Sequence, residues 1–315
     1  MTWYEGTILG LIQGLTEYLP ISSSGHLTIF QSLFGLGGEE NLTFDVVVHL
    51  ATVFSTVIVF WKPIKQLVSG VFVKGENKEK DYILKLLVSM IPILLVGFFL
   101  KPLVDKLFKP DIIQQSTGNG LLVVGIALVV TAILLLSSEI ISAVMDLRHG
   151  ADAADKEQRI AQKLQIEEGM SRAQRRKIFA QQNGISYWQA LIVGVAQAVA
   201  VIPGLSRSGS TIATGFLCKV RKSAIAQFSF LMVIVPILGE CLLEVVKSFK
   251  SGGSVVEQSS IGLLPLCCGF LAAFLSGFFA CKFMIAILKK FNLYGFAVYT
   301  FIIGVLCIVL PYVLR

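Results

Sequence analysis

The order of apolar and polar positions divides the chain into two kinds of segment. Six stretches are apolar over about twenty residues, at roughly 44–61, 82–100, 120–141, 224–246, 261–288 and 293–314. Each is long enough to cross a ~30 Å hydrocarbon layer as a helix. Two more are apolar but interrupted. Thr7–Ile21 and Leu27–Gly35 are separated by Ser22-Ser23-Ser24-Gly25-His26, and Trp188–Ile202 and Ser210–Cys218 by Pro203-Gly204-Leu205-Ser206-Arg207-Ser208-Gly209. Arms of about 10–15 residues reach only ~15–22 Å. Each interrupted stretch therefore predicts a helical hairpin that enters the membrane and turns back. Non-helical backbone at that depth persists only where protein buries it or a cavity lies beside it, so the turns mark a site.

The two interrupted stretches repeat one another at an offset of 184. Ile8 matches Ile192, Gly10 Gly194, Gln13 Gln197, Ser22 Ser206, Ser24 Ser208, Gly25 Gly209 and Phe44 Phe228, while Pro20 and Pro203 miss by one. Each copy is followed by three predicted spans. Three is odd, so the second copy starts on the opposite face. The predicted fold is an all-α polytopic membrane protein, six spanning helices and two re-entrant hairpins in an inverted repeat whose broken helices meet near the midplane. Repeat one covers 1–145, a polar mixed-charge insertion 146–183, and repeat two 184–315, all in one membrane domain.

Composition agrees. Hydrophobic residues make up 55% of the 315 and charged residues only 15%, against about 25% charged in soluble domains, and mean hydropathy is +0.76. An ordinary soluble enzyme and a disordered chain are excluded. So is a nucleic-acid partner, because the net charge of +7 is distributed as in membrane proteins, where Lys and Arg mark cytoplasmic loops. The predicted loops at 62–81, 142–186, 219–223 and 289–292 share a face and hold eighteen Lys and Arg, and the opposite face holds six. The richer face is expected to be cytoplasmic, with both termini and the first hairpin facing outward. The six cysteines show no C-x-x-C spacing and read as packing residues. The first ten residues hold no Lys or Arg, so no cleavable signal peptide is expected.

Ionisable groups within such segments point to function. Gln13 and Glu17 lie four apart on one helix face, and a carboxylate with an amide oxygen suits a hard divalent cation. Pro20 ends the arm. Ser22, Ser23 and Ser24 open the next, where hydroxyls cap and N–H groups face an anion, and His26 follows as an acid or base. In the second hairpin Gly204 and Gly209 permit close backbone approach. Arg207 offers a donor fork suited to phosphate, and Ser206, Ser208 and Thr211 add hydroxyls. Asp45 and His49 read as interfacial, and Glu240, Glu244 and Lys282 as facing interhelical space or snorkelling.

Gln13-x-x-x-Glu17 with Pro20-Ile21-Ser22-Ser23-Ser24-Gly25-His26, together with Pro203-Gly204-Leu205-Ser206-Arg207-Ser208-Gly209-Ser210-Thr211, resembles the undecaprenyl-pyrophosphate phosphatases, the bacitracin-resistance membrane proteins. The resemblance extends to the Phe44-Asp45 span, Phe228-Ser229-Phe230 and the terminal span, and covers nearly all but 146–183. It implies hydrolysis of a C55 polyprenyl diphosphate to the monophosphate and inorganic phosphate, recycling the carrier for peptidoglycan synthesis. It implies catalytic roles for Glu17, Ser23, His26 and Arg207. It also implies a divalent cation, Mg2+ or Ca2+, for which the residues offer Glu17 and Gln13, and the hairpin residues Gln13, Ser22, Ser24, Gly204, Ser206, Ser208, Gly209 and Thr211 are the expected substrate contacts. The attacking group stays open between Ser23, His26 and water, with His26 handling the proton. The expected partners are the polyprenyl diphosphate lipid, the bilayer and, as an open expectation, a second copy in a homodimer. The expected location is the bacterial plasma membrane with the site reached from outside. The alternative reading is a transporter or flippase of an anionic lipid, since inverted repeats with broken helices also serve transport. The topology has a direct check. In a cysteine-free background, single cysteines near Glu40 and near Lys78 should label from opposite sides, and labelling of both from outside would refute the inverted arrangement.

Overall fold

The computed structural model describes residues 1–36, 39–100, 119–149, 184–250, 261–290 and 292–313, and these form helices joined by turns, without strands. In chain order the helices are α1 (Trp3–Tyr18), α2 (Ser23–Leu33), α3 (Glu39–Val59), α4 (Trp61–Val71), α5 (Lys78–Leu95), α6 (Asn119–His149), α7 (Tyr187–Val199), α8 (Arg207–Leu217), α9 (Lys222–Met232), α10 (Ile234–Lys250), α11 (Leu263–Lys290) and α12 (Tyr294–Val313). A π-helical turn, Val96–Leu100, continues α5 just after its internal Pro92, whose missing N–H disturbs the ladder at that point.

Local sequence sets the starts of the broken pairs. Thr2 and Glu5 form a capping box at the N-terminus of α1, and Ser186 and Gln189 form another at α7. Each satisfies two orphan donors reciprocally, and the two boxes stand 184 residues apart. Ser22 caps α2 through the Gly25 N–H at 3.1 Å, and Ser206 caps α8 through the Gly209 N–H at 3.0 Å. At 16, 11, 13 and 11 residues, α1, α2, α7 and α8 are each shorter than a spanning helix requires.

Among the described residues four helical segments have the length and apolarity to cross a membrane: Gly120–Val144, Lys222–Leu243, Leu263–Leu288 and Tyr294–Pro311. The second is α9 running into α10. The α3–α4 pair, bent by 76° at Phe60, meets the same test only when its two helices are taken together, as a broken span or a re-entrant loop. The expected span at 82–100 is helical, but α5 begins with Lys78, Glu79, Lys80 and Asp81 and also carries Lys85, so it lacks the charge-free run of the others. The expected loop at 62–81 is instead helical over α4, whose exposed face includes Trp61, Val68 and Val71. The expected 142–186 loop begins later, because α6 runs on to His149. Residues 150–183, most of the insertion, lie outside the described residues.

Packing crosses between the two halves. α1 lies along α11 and α7 along α5, while α6 lies along α12. A Cβ on Gly10 would sit 2.2 Å from the Gly269 carbonyl oxygen, and one on Gly194 2.2 Å from that of Ser89. Gly125 and Gly304 approach each other's carbonyls in the same way. Small residues are what let helices meet this closely where lipid provides no hydrophobic drive. α7 is tied to α5 by a buried polar group as well. Lys85, fully buried, pairs with Asp81, and the Tyr187 hydroxyl donates to the same carboxyl at 2.8 Å. The largest apolar core gathers Tyr18, Ile212, Phe216, Phe228, Phe230 and Met284 beneath the turns. All six cysteines are free thiols.

Gly10→Ala and Gly194→Ala are each expected to cost about 1–3 kcal/mol through overpacking. Thermal unfolding in detergent should show both midpoints falling, while Gly295→Ala, which meets nothing within 4 Å, leaves the midpoint unchanged.

Candidate active site

The two hairpin turns meet. Gly25 and Gly204 both lie against Val124 of α6, where added Cβ atoms would sit 3.3 Å from its Cγ1 and 2.9 Å from its Cα. Gly204 has φ +85°, a conformation other residues resist. The close approach expected for a ligand at Gly204 is therefore spent on helix α6. Gly209 is likewise packed against Ser206 and Thr131. The Ser206 N–H donates to Thr131 Oγ1 at 3.1 Å, which anchors the second turn to the same helix.

At the junction stands Glu17, in the last turn of α1, with its side chain 6% exposed. Its Oε1 accepts from Arg207 Nη2. Its Oε2 accepts from Ser23 Oγ at 2.6 Å and from Gln13 Nε2 at 2.8 Å. Ser23 and Arg207 are the first residues of α2 and α8 and stand at matching positions of the two copies. Each second arm thus extends its opening side chain to one carboxylate. The Ser208 hydroxyl donates to the Leu19 carbonyl at 3.0 Å, a group that the end of α1 leaves without a helical partner. A small pocket beside the carboxylate is lined by Glu17, Arg207, Ser208, Thr52, Thr56 and Ser229, among others. Two helix N-termini flank the carboxylate, and their positive ends favour an anion there.

The other predicted residues divide. Gln13 is fully buried and its Oε1 has no hydrogen-bond partner. Ser22 is committed to capping, and Ser24 is exposed with its hydroxyl 3.4 Å from that of Ser22. Thr211 points elsewhere: its hydroxyl is 2.9 Å from the Arg207 carbonyl and 2.6 Å from Ser229 Oγ on α9, so it braces α8 and does not face Glu17. His26 Nδ1 lies 2.8 Å from the Ser22 carbonyl and Nε2 2.8 Å from the Tyr299 hydroxyl. A carbonyl only accepts, so Nδ1 carries the hydrogen and Tyr299 donates to Nε2. Both ring nitrogens are occupied, and the Tyr299 ring stacks on the imidazole with centroids 5.7 Å apart.

Two residues were not foreseen at the site. Tyr299 sits in an apolar terminal span whose sequence gives no sign of His26. His49, expected at an interface, lies in mid-α3 with Nε2 3.8 Å from Glu17 Oε2. The signal was available in part, since His49 falls ten residues into a 21-residue helix, away from either end. Lys282 is exposed, with its ammonium over the Phe278 ring.

A family model described as bacitracin resistance protein BacA matches residues 6–306. The chain is 48% identical over 308 residues to an undecaprenyl-diphosphatase of Parabacteroides distasonis, covering 98% of both chains. It is 47% identical over 309 residues to one of Bacteroides fragilis, again 98% of each. With one of Halothermothrix orenii it shares 35% identity over 311 residues and 98% of each chain. Removing either partner of the central ion pair leaves a charge without its counterion. Glu17→Gln and Arg207→Met should each lower the unfolding midpoint, and the double variant should lose less than the sum of the two, measured as a thermal double-mutant cycle in detergent.

Proposed function

The chain belongs to the bacitracin resistance protein BacA family, and we propose that the cluster around Glu17 is where it acts as an undecaprenyl-diphosphatase. The reaction converts undecaprenyl diphosphate to undecaprenyl phosphate and inorganic phosphate, which returns the lipid carrier to peptidoglycan synthesis and gives bacitracin resistance. One observation carries the assignment of the site: a nearly buried carboxylate is shared by an arginine and a serine that open two helices from opposite halves of the chain.

Phosphoryl transfer depends on positioning and on charge neutralisation. Arg207 has N–H groups beyond the one given to Glu17, and their planar fork suits the diphosphate oxygens. The helix ends at Ser23 and Arg207 add their dipoles. Ser23 already directs its proton to Glu17, which supports Glu17 as the base and Ser23 Oγ as the nucleophile. As the Oγ–phosphorus bond forms at the distal phosphate, the proton passes to Glu17, the bridging P–O bond breaks and undecaprenyl phosphate leaves. Water then attacks the phosphoserine, the proton held by Glu17 returns to Ser23 Oγ as the Oγ–phosphorus bond breaks, and inorganic phosphate leaves with the hydrogens of the water. The engagement of both His26 nitrogens supports a positioning role for it over attack on phosphorus. His26 holds the α2 turn and its hydrogen bonds to Ser22 and Tyr299 in register.

The residues also fit a divalent cation. Gln13 Oε1 is buried and unpartnered, and it lies on the same helix face as the Glu17 carboxylate. Among the described residues no group of three or more His, Cys, Asp and Glu could hold a metal, so phosphate oxygens would complete the coordination, as Mg2+ commonly requires. When bound, the ion would neutralise charge on the diphosphate.

The chain is an integral membrane protein, and the reading extends to its placement. The two broken pairs re-enter the membrane, the halves form an inverted repeat, and the site opens on the outer face of the plasma membrane. Supporting this are the short helices, the capping boxes 184 residues apart, the crossed packing and the charge asymmetry of the loops. The test is phosphate release from undecaprenyl diphosphate by purified protein in detergent, with and without chelator. Arg207→Lys keeps the charge but loses the fork, and it should cut turnover about 100-fold or more. Near wild-type turnover in that variant would remove Arg207 from headgroup recognition.

A further inference from the structure

His49 is unexplained by the reading above, and its surroundings are specific. Its Nδ1 lies 2.7 Å from the Asp45 carbonyl oxygen, one turn back on α3. That oxygen cannot donate, so Nδ1 holds the ring hydrogen. The remaining nitrogen, Nε2, lies 3.8 Å from Glu17 Oε2, and in the neutral ring it is the atom whose lone pair is available to a cation. A ring N–H fixed on a backbone carbonyl, with the other nitrogen directed at a carboxylate, is the arrangement that orients metal-binding histidines. Asp45 is itself held, since its Oδ1 accepts from Gln31 Nε2 at 2.8 Å, which ties this part of α3 to α2.

The spacing agrees. Two donors about 2.1 Å from one cation lie ~3.0 Å apart at right angles and ~4.2 Å apart when opposite. The observed 3.8 Å falls between. Glu17 gives Oε1 to Arg207, and its Oε2, which accepts from Ser23 and Gln13, is the oxygen on the His49 side and the one a cation would share with them. Gln13 Oε1, fully buried and without a partner, belongs to the residue already hydrogen-bonded to that oxygen. Amide O and N positions interchange by a half-turn of the side chain, which would bring Oε1 to the same point.

We infer that His49 is the third protein ligand of the cation site formed by Glu17 and Gln13, and that its imidazole adapts the site to Mn2+ as well as to harder ions. The inference rests on the reading of Glu17 and Gln13 as cation-holding residues. Calcium takes oxygen ligands almost exclusively, whereas imidazole raises affinity for first-row transition ions. A site with one nitrogen donor should therefore bind Mn2+ in preference to Ca2+.

The experiment uses Mn2+ on the full-length protein in detergent, with and without inorganic pyrophosphate, read by electron spin-echo envelope modulation. The chain has three histidines, so a nitrogen signal is readily assigned. The expected result is 14N modulation from one imidazole, retained in His26→Gln and His149→Gln and lost in His49→Gln, with Mn2+ affinity falling about 10-fold in the last. His49→Asp, which restores an oxygen donor, should recover Mn2+ binding without the nitrogen signal and reverse the preference towards Ca2+. It also shows that loss in His49→Gln is not a failure to fold. Bound Mn2+ without 14N modulation, or modulation that survives His49→Gln, would overturn the inference and leave His49 as an ion-pair partner of Glu17. Failure to bind Mn2+ even with pyrophosphate would overturn it too. Phosphate release in detergent separates that outcome from the hydrolase reading: turnover in excess chelator retains the enzyme and removes the cation, while absence of turnover under all conditions refutes the site itself.

Discussion

The ion pair between Glu17 and Arg207 is the constraint from which the architecture follows. The two residues are 190 positions apart, and each lies where a helix has just broken. A lone carboxylate or guanidinium in such a place is expensive, so each turn depends on the other. Their pairing sets tip against tip, which draws α1 and α7 inward and lays them on α11 and α5. Those contacts are possible only because glycine stands at Gly10, Gly269 and Gly194. The close helix packing, the anchoring on α6 and the carbonyl of Leu19 received by Ser208 are conditions under which one buried pair can exist.

Although the two halves match in pattern, they differ in chemistry. Ser23 and Arg207 occupy equivalent first positions of α2 and α8, and both reach Glu17. The position offset from Glu17 in the second copy is Val201, and that offset from His26 is Ser210. Gln197, the counterpart of Gln13, is buried with both amide atoms unpartnered. One copy therefore carries the carboxylate and the hydroxyl while the other carries the cation. A single asymmetric centre made of two similar halves is suited to a substrate that is itself asymmetric, charged at one end and apolar along the rest.

Much of this was legible in the amino-acid order because the signals were local. Apolar run length gave α3, α6, α11 and α12, and the interruption by Ser22–His26 and by Pro203–Gly209 gave both turns. Charge in an apolar segment singled out Glu17 and Arg207. What could not be read depended on distance in three dimensions. Nothing near Tyr299 indicates that it would stack on His26. His49 has the same neighbours in sequence whether it faces headgroups or Glu17. Gly204 and Gly209 were read as making room for a ligand, and the room turned out to be filled by α6. Thr211 shares a motif with Arg207, but four residues along a helix turned it to Ser229. Helix α4 went unforeseen because its alternation of Lys62, Lys65 and apolar residues also fits a loop.

The hydrogen bond from Ser208 to the Leu19 carbonyl has a consequence for how the protein is made. Synthesis proceeds from the N-terminus, so the first hairpin exists for almost two hundred residues of elongation before the second. During that interval Glu17 has no guanidinium and Leu19 has no hydroxyl, and helix ends bearing such groups are stable only in contact with water. The contacts of Glu17 and Leu19 with Arg207 and Ser208 therefore form only once Ser206–Gly209 has been made, and the cluster is complete late although its first residues are made early.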